Sequence, residues 1–319
     1  MKMARVIFIG LLILSLFLNF WLISNFSRRR SDSAPDNAED LRIKYPYLSQ
    51  RILREYDRDL LINFSPLRRE LRQLINGDFG NDFSLYFEYL PTGVSIGVNE
   101  KTEFISASLM KVPLVMAYLH KKEASGIEED PTVTIEEKHI DRDFGDLWQK
   151  GAGFKIHLSE VVGLALRESD NTAINLISSN ISQEDYQFIL EGLDLPLKVE
   201  SNKQAFITTK GYSSIFKALY FSALLSKDNS QYVLDLLTKS IFLDKLAAGV
   251  PDNIPIAHKV GVYYGTQNPV FADCGIIYLE KRNYLLCMAS RSDEATATER
   301  MKRVSETVYH FVSSTELEN

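Results

Sequence analysis

Apolar residues run from Val6 to Ile23 without a charged side chain, give way to the polar stretch Ser31 to Asp40, and only then settle into periodic patterns. From Tyr47 to Ile75 they recur at helical spacing (Leu53, Leu60, Leu61, Leu67, Leu71, Leu74, Ile75). The interruption at Ser65-Pro66, a good N-cap and first-turn pair, predicts two helices there. Phe83 to Leu90 and Val94 to Val98 read as strands, and Pro91-Thr92-Gly93 between them fits the tight turn of an antiparallel hairpin. From Ser106 to about Leu246 the pattern is helical with loops, including Leu158 to Arg167, Asp170 to Ile177 and Tyr212 to Leu225. Strands return at Ile254 to Tyr264, Phe271 to Leu279 and Tyr284 to Ala289. A last helix begins near Glu294, with Met301, Val304, Val308, Phe311 and Val312 on one face. This order of strands, helices, strands and helix predicts a sheet assembled from both ends of the chain around a helical insertion.

The first segment is long enough to span a bilayer. It is preceded by Lys2 and Arg5, followed by Arg28, Arg29 and Arg30, and ends in Trp21-Leu22-Ile23-Ser24-Asn25-Phe26-Ser27 rather than in the small residues of a cleavage site. Residues 1–30 are therefore expected to be an uncleaved single-pass membrane anchor, residues 31–45 a polar tether, and residues 46–319 the folded domain, its helical part about 106–246. A cleaved, secreted form is the alternative. Positive charge on both sides of the span leaves the orientation open on the positive-inside rule.

Of 36 Lys and Arg, five lie in the first thirty residues, where there is no Asp or Glu; the other 31 stand against 42 Asp and Glu. Such an acidic body argues against a nucleic-acid partner. The five histidines show no metal-ligand spacing, and no metal or organic cofactor is expected. His258, beside Lys259, reads as an ordinary strand residue. Cys274 and Cys287 flank the hairpin turn at Glu280 to Asn283 and read as two small buried residues on adjacent strands. A disulfide in an oxidising compartment is the alternative, although directly opposed strand positions fit its preferred geometry poorly.

Three short clusters carry the chemistry: Ser108-Leu109-Met110-Lys111, Ser169-Asp170-Asn171 and Lys259-Val260-Gly261. Each has an ordinary structural reading, as a capped helix start or a strand, and Ser214-Ile215-Phe216-Lys217 repeats the first spacing by chance. Ser108 and Lys111 at i and i+3 share a helix face. Apolar Phe104-Ile105 and Val112-Pro113-Leu114-Val115 around them could bury the pair, which is what a lysine needs in order to act as a base.

The ordered set resembles the Ser-x-x-K, Ser-Asp-Asn and Lys-Thr-Gly elements of the class A β-lactamases and penicillin-binding proteins. The run Arg167 to Leu176 is similar to that family well beyond the three central residues. The resemblance implies an α/β (α+β) β-lactamase-like fold over about residues 60–315, with a five-stranded antiparallel sheet, flanking helices and a mostly helical subdomain. It implies a serine hydrolase acting on a β-lactam or a D-Ala-D-Ala-type peptide outside the cytoplasm.

By the same resemblance Ser108 is the nucleophile and Lys111 its base, and Ser169 relays a proton to the leaving nitrogen. Asn171 binds the substrate amide and holds Lys111, Lys259 and Gly261 face the substrate, and the N–H groups of Ser108 and Val262 form the oxyanion hole. Two departures stand out. Val260 replaces a hydroxyl residue that helps bind the substrate carboxylate, and no E-x-x-L-N string supplies the loop glutamate that activates the deacylating water. Glu200 is the one stand-in within Leu195 to Phe206. The lead expectation is a class A β-lactamase-like hydrolase. The alternatives are a D,D-carboxypeptidase or other cell-wall acyl hydrolase using the same serine, and, with Val260 as the sign, a non-hydrolytic wall-binding or penicillin-sensing protein or an enzyme on another amide or ester.

Overall fold

A computed structural model describes residues 43–48, 62–126, 129–195, 198–199, 204–265 and 269–314. The chain divides into two compact units, Met1–Pro46, of which only residues 43–46 are described, and Tyr47–Asn319, to which everything below refers. The expected anchor, the tether apart from residues 43–45, and Glu200 lie outside the described residues, among which no helix is long and apolar enough to cross a membrane.

Helix α1 spans Ser65–Leu74. The hairpin follows as β1 (Phe83–Tyr89) and β2 (Val94–Val98), then the short strand β3 (Phe104–Ile105) and a 3-10 turn, Ala107–Met110, leading into α2 (Lys111–Ser125). Strands β4 (Thr132–Thr134) and β5 (Lys155–His157) pair with each other. They precede helices α3 (Leu158–Arg167), α4 (Asn171–Ser178) and α5 (Gln183–Gly192). Strands β6 (Lys198–Val199) and β7 (Ala205–Ile207) form a small sheet with β3, in the order β3-β7-β6. Helices α6 (Thr209–Tyr220) and α7 (Lys227–Leu237) complete the helical region. The chain ends with β8 (Ile256–Tyr263), β9 (Val270–Ile277), β10 (Tyr284–Arg291) and α8 (Glu294–Ser314).

The main sheet is antiparallel, in the order β2-β1-β10-β9-β8. Its core is built from two amphipathic helices. Leu67, Leu71 and Leu74 of α1 and Met301, Val304, Val308 and Val312 of α8 recur every three or four residues and cover one face, meeting Phe83, Leu85, Phe87 and Tyr89 of β1.

The alternation in β1 suggests a strand with one wet face, yet all seven residues are buried. Helix α6 packs on the second face and supplies partners for its polar groups. Ser84 Oγ lies 2.8 Å from Thr209 Oγ1, Tyr86 donates to Glu88 Oε2 at 2.6 Å, and Lys217 Nζ donates to the same oxygen at 3.0 Å. Buried polar groups are tolerated where they are paired in this way.

Two local readings are corrected. Ser65 is the first residue of α1 rather than its cap; the Asn63 side chain accepts the Ser65 N–H instead, at 3.0 Å. Cys274 and Cys287 do not stand as separate small residues. The register of β9 and β10 sets them directly opposite each other, and they are paired as a disulfide.

Candidate active site

Ser108 sits in the 3-10 turn rather than in the helix, and Lys111 is the first residue of α2. Three elements hold the turn. Ser106 N–H and Oγ both donate to Ala205 O of β7, at 2.8 and 3.0 Å, and Tyr212 of α6 donates to Leu109 O at 2.8 Å from a fully buried position. The third is edge strand β8, which packs against the turn. Ala107 enters the turn with φ of 44°, a conformation that L-residues adopt sparingly. The Ser108 side chain is half-buried, and among the described residues nothing hydrogen-bonds to its hydroxyl.

Gly261 has its reason here. A Cβ at that position would stand 2.8 Å from Leu109 Cγ and 3.0 Å from Ser106 O, so the missing side chain makes room for the turn that carries Ser108. The sequence-based expectation assigned that space to a substrate. Gly261→Ala is therefore expected to cost about 1–3 kcal/mol of stability by overpacking. It should also slow acylation in the protein that remains folded; thermal melting and acylation rates on the same sample check this, and unchanged values for both would remove Gly261 from the support of the turn.

Ser169 has φ of 59°, which turns the chain sharply between α3 and α4. Asp170 is the actual cap of α4. Its Oδ1 accepts Ala173 N–H at 2.7 Å and its Oδ2 accepts Leu147 N–H at 2.8 Å, so both carboxylate oxygens serve structure. Asn171 is held at both ends of its amide, with Oδ1 accepting from Lys111 Nζ at 2.7 Å and Nδ2 donating to Asp141 Oδ1 at 3.0 Å.

Lys111 also donates to Ser169 O and, at 3.2 Å, to Ser169 Oγ. Lys259 reaches the same hydroxyl from β8 at 2.8 Å, with a second bond to Val260 O at 3.1 Å. One serine oxygen thus stands between two buried amines. Burial lowers the Lys111 pKa to about 8, against the opposing pull of Asp170 and Asp141. Lys259 is held well below its ordinary value by burial first and then by the Lys111 charge, with Asp273 opposing. Asp273 is itself buried, accepting from Leu246 N–H at 3.1 Å and lying 2.9 Å from His258 Nδ1. His258 is therefore a paired buried residue anchoring the strand that carries Lys259, a role that its sequence neighbours do not signal.

An open cleft of about 560 Å³ adjoins these groups. Its walls include Val260 and Val262 of β8 and Tyr264 just beyond its end, together with Phe144 and Phe242. The two rings lie 5.9 Å apart; Phe144 is 6.0 Å from Lys111 Nζ and Phe242 is 5.7 Å from Lys259 Nζ. Neither aromatic belongs to a recognisable motif, and only the fold brings them to the site.

Lys111, Ser169, Asn171 and Lys259 thus meet in one hydrogen-bonded cluster, Gly261 packs against the turn that carries Ser108, and Val262 stands in the wall of the cleft. Ser214 and Lys217 do not form a second site. Ser214 Oγ is spent on Gly211 O at 2.8 Å, within α6, and Lys217 on Glu88. Among the described residues no cluster of three His, Cys, Asp or Glu could hold a metal ion.

Comparison with solved structures gives the same architecture. A mutant of PBP-A, solved as an acyl-enzyme complex with penicillin G, is 21% identical with a TM-score of 0.70, covering 79% of this chain and 97% of that one. A β-lactamase from Sphaerobacter thermophilus is 17% identical with a TM-score of 0.70, covering 80% and 100%. A class A β-lactamase representative from Bacteroides cellulosilyticus is 14% identical with a TM-score of 0.72, covering 80% and 100%. No curated protein sequence matches the chain. The model of the β-lactamase enzyme family matches residues 66–312, a span that takes in every one of the three clusters and the whole sheet. The chain folds as a β-lactamase and belongs to that family.

Proposed function

We propose that the protein is a serine hydrolase of the β-lactamase type that is acylated at Ser108 by a β-lactam or a related amide and then hydrolysed. The observation that carries this reading is the position of Ser169 Oγ, 3.2 Å from Lys111 Nζ and 2.8 Å from Lys259 Nζ. Such a bridge is a proton path rather than a packing device. With a pKa of about 8, Lys111 leaves roughly a tenth of its amine neutral at pH 7. The neutral amine takes the Ser108 proton as Oγ attacks the carbonyl carbon. The resulting ammonium returns a proton through Ser169 Oγ to the leaving nitrogen as the amide bond breaks.

Lys259 keeps the Ser169 hydroxyl in place and adds positive potential. Asn171, fixed at both ends, has a second amide hydrogen for the substrate carbonyl. The N–H groups of Ser108 and Val262 stabilise the oxyanion, a donor of this kind contributing about 3–4 kcal/mol to the transition state. In this reading the domain works outside the cytoplasm, held by residues 1–30.

A second reading, a D,D-carboxypeptidase or other penicillin-binding acyl hydrolase with the same chemistry and slow water attack, is favoured by the missing E-x-x-L-N string. Intact-mass spectrometry of residues 31–319 with excess benzylpenicillin separates the two. Free penicilloic acid with little adduct supports the first reading, a persistent adduct on Ser108 the second, and neither adduct nor product overturns both.

A further inference from the structure

The cleft beside Lys259 has an unusual charge balance for a site expected to receive a carboxylate. Val260 offers no hydroxyl there, and Lys259 is fully buried with its donors directed to Ser169 and its own strand. Of the residues that line the cleft, one carries a positive charge, Lys245. Its side chain is only 4% exposed, while that of Asp244, also in the lining, is 51% exposed; Asp244 Oδ2 accepts from Lys245 Nζ at 2.7 Å. Glu294 adds a further acid to the same wall, 3.2 Å from Tyr264 OH. Asp244 takes one of the three Lys245 Nζ hydrogens, so a carboxylate entering this space would have to share the cation beside a like charge or remain unpaired against an apolar wall, and either is costly.

We propose that Asp244 sets the substrate preference of this site: by occupying Lys245 it turns the cleft toward amides and esters whose leaving half is uncharged and apolar. Phe144, Phe242, Val260 and Val262 then provide the contact surface for that half. The proposal rests on the acyl-serine chemistry above, and the substrate class it names, one without a carboxylate on the leaving half, is distinct from benzylpenicillin and from the peptide of a D,D-carboxypeptidase. Asp244 is a specificity residue in this scheme and takes no part in the proton path.

The test uses benzylpenicillin and its methyl ester, which differ in one charge on the side of the leaving nitrogen, a side that stays attached to the acyl group when the ring opens. Acylation rates are followed by intact mass and corrected for the reactivity of each compound toward hydroxide. The ester is expected to acylate the unmodified protein faster. Asp244→Asn should raise the acid-to-ester rate ratio about tenfold, the scale of one hydrogen bond to a charged group. In a Lys245→Met background the same substitution should leave the ratio unchanged.

Faster reaction of the acid with the unmodified protein overturns the proposal, as does a ratio that ignores Asp244→Asn or shifts equally in the Lys245→Met background. In each of those cases the acyl-serine reading survives. An adduct that persists in Ser108→Ala, or no reaction with either compound, removes the acyl-serine reading and the proposal with it.

Discussion

Ser108→Ala is expected to take up no mass from benzylpenicillin or its methyl ester at any time, while unfolding within about 1 kcal/mol of the unmodified protein. The two halves of this expectation come from one fact. Among the described residues the Ser108 hydroxyl has no hydrogen-bond partner, so removing it withdraws nothing from the folded state and everything from the chemistry. Intact mass and a denaturant titration on the same preparation check it. A labelled Ser108→Ala protein would place the nucleophile elsewhere, and a large loss of stability would mean that the serine is structural.

The second large effect concerns Lys111. The basic form of its amine accepts the proton, and burial lowers its pKa to about 8. Raising the pH through that value therefore increases the reactive form. Acylation should climb about tenfold per pH unit below pH 8 and level off above it, because the neutral fraction follows the titration. Lys111→Ala should lose both the plateau and the slope, with a rate lower by on the order of 10²–10⁴, the usual contribution of a positioned base. Stopped-flow acylation from pH 6 to 9.5 supplies the profile. A rate that is flat across that range would mean that Lys111 is not the base, whatever its position.

Much of this was legible in the sequence, for reasons that differ by element. The β1–β2 hairpin could be read because Pro91-Thr92-Gly93 fixes its turn locally, and the strands of the last third because β-branched and aromatic residues crowd them. What escaped the sequence depends on partners far along the chain. The polar residues of β1 are buried because α6, more than a hundred residues later, brings Thr209 and Lys217 to them. The N-cap of α1 is Phe64, with no side-chain cap bond, and Asn63 accepts the Ser65 N–H from two residues away, which a residue-preference rule cannot rank. The candidate site was half legible. Its charged residues announced themselves by order and spacing, whereas Phe144, Phe242 and the Asp244–Lys245 pair have no local signature, and Gly261 serves a neighbour that no spacing rule identifies.

The position of β8 at the border of the sheet has one more consequence. An unpaired border strand is a template on which other chains can add themselves, and proteins usually guard such strands with charge, proline or a bulge. Here the turn that carries Ser108 packs against β8, with Leu109 and Ser106 O filling the space beside Gly261. A change that shifts this turn therefore disturbs the border strand together with the proposed nucleophile, so variants damaged there should be lost to aggregation as well as to inactivity.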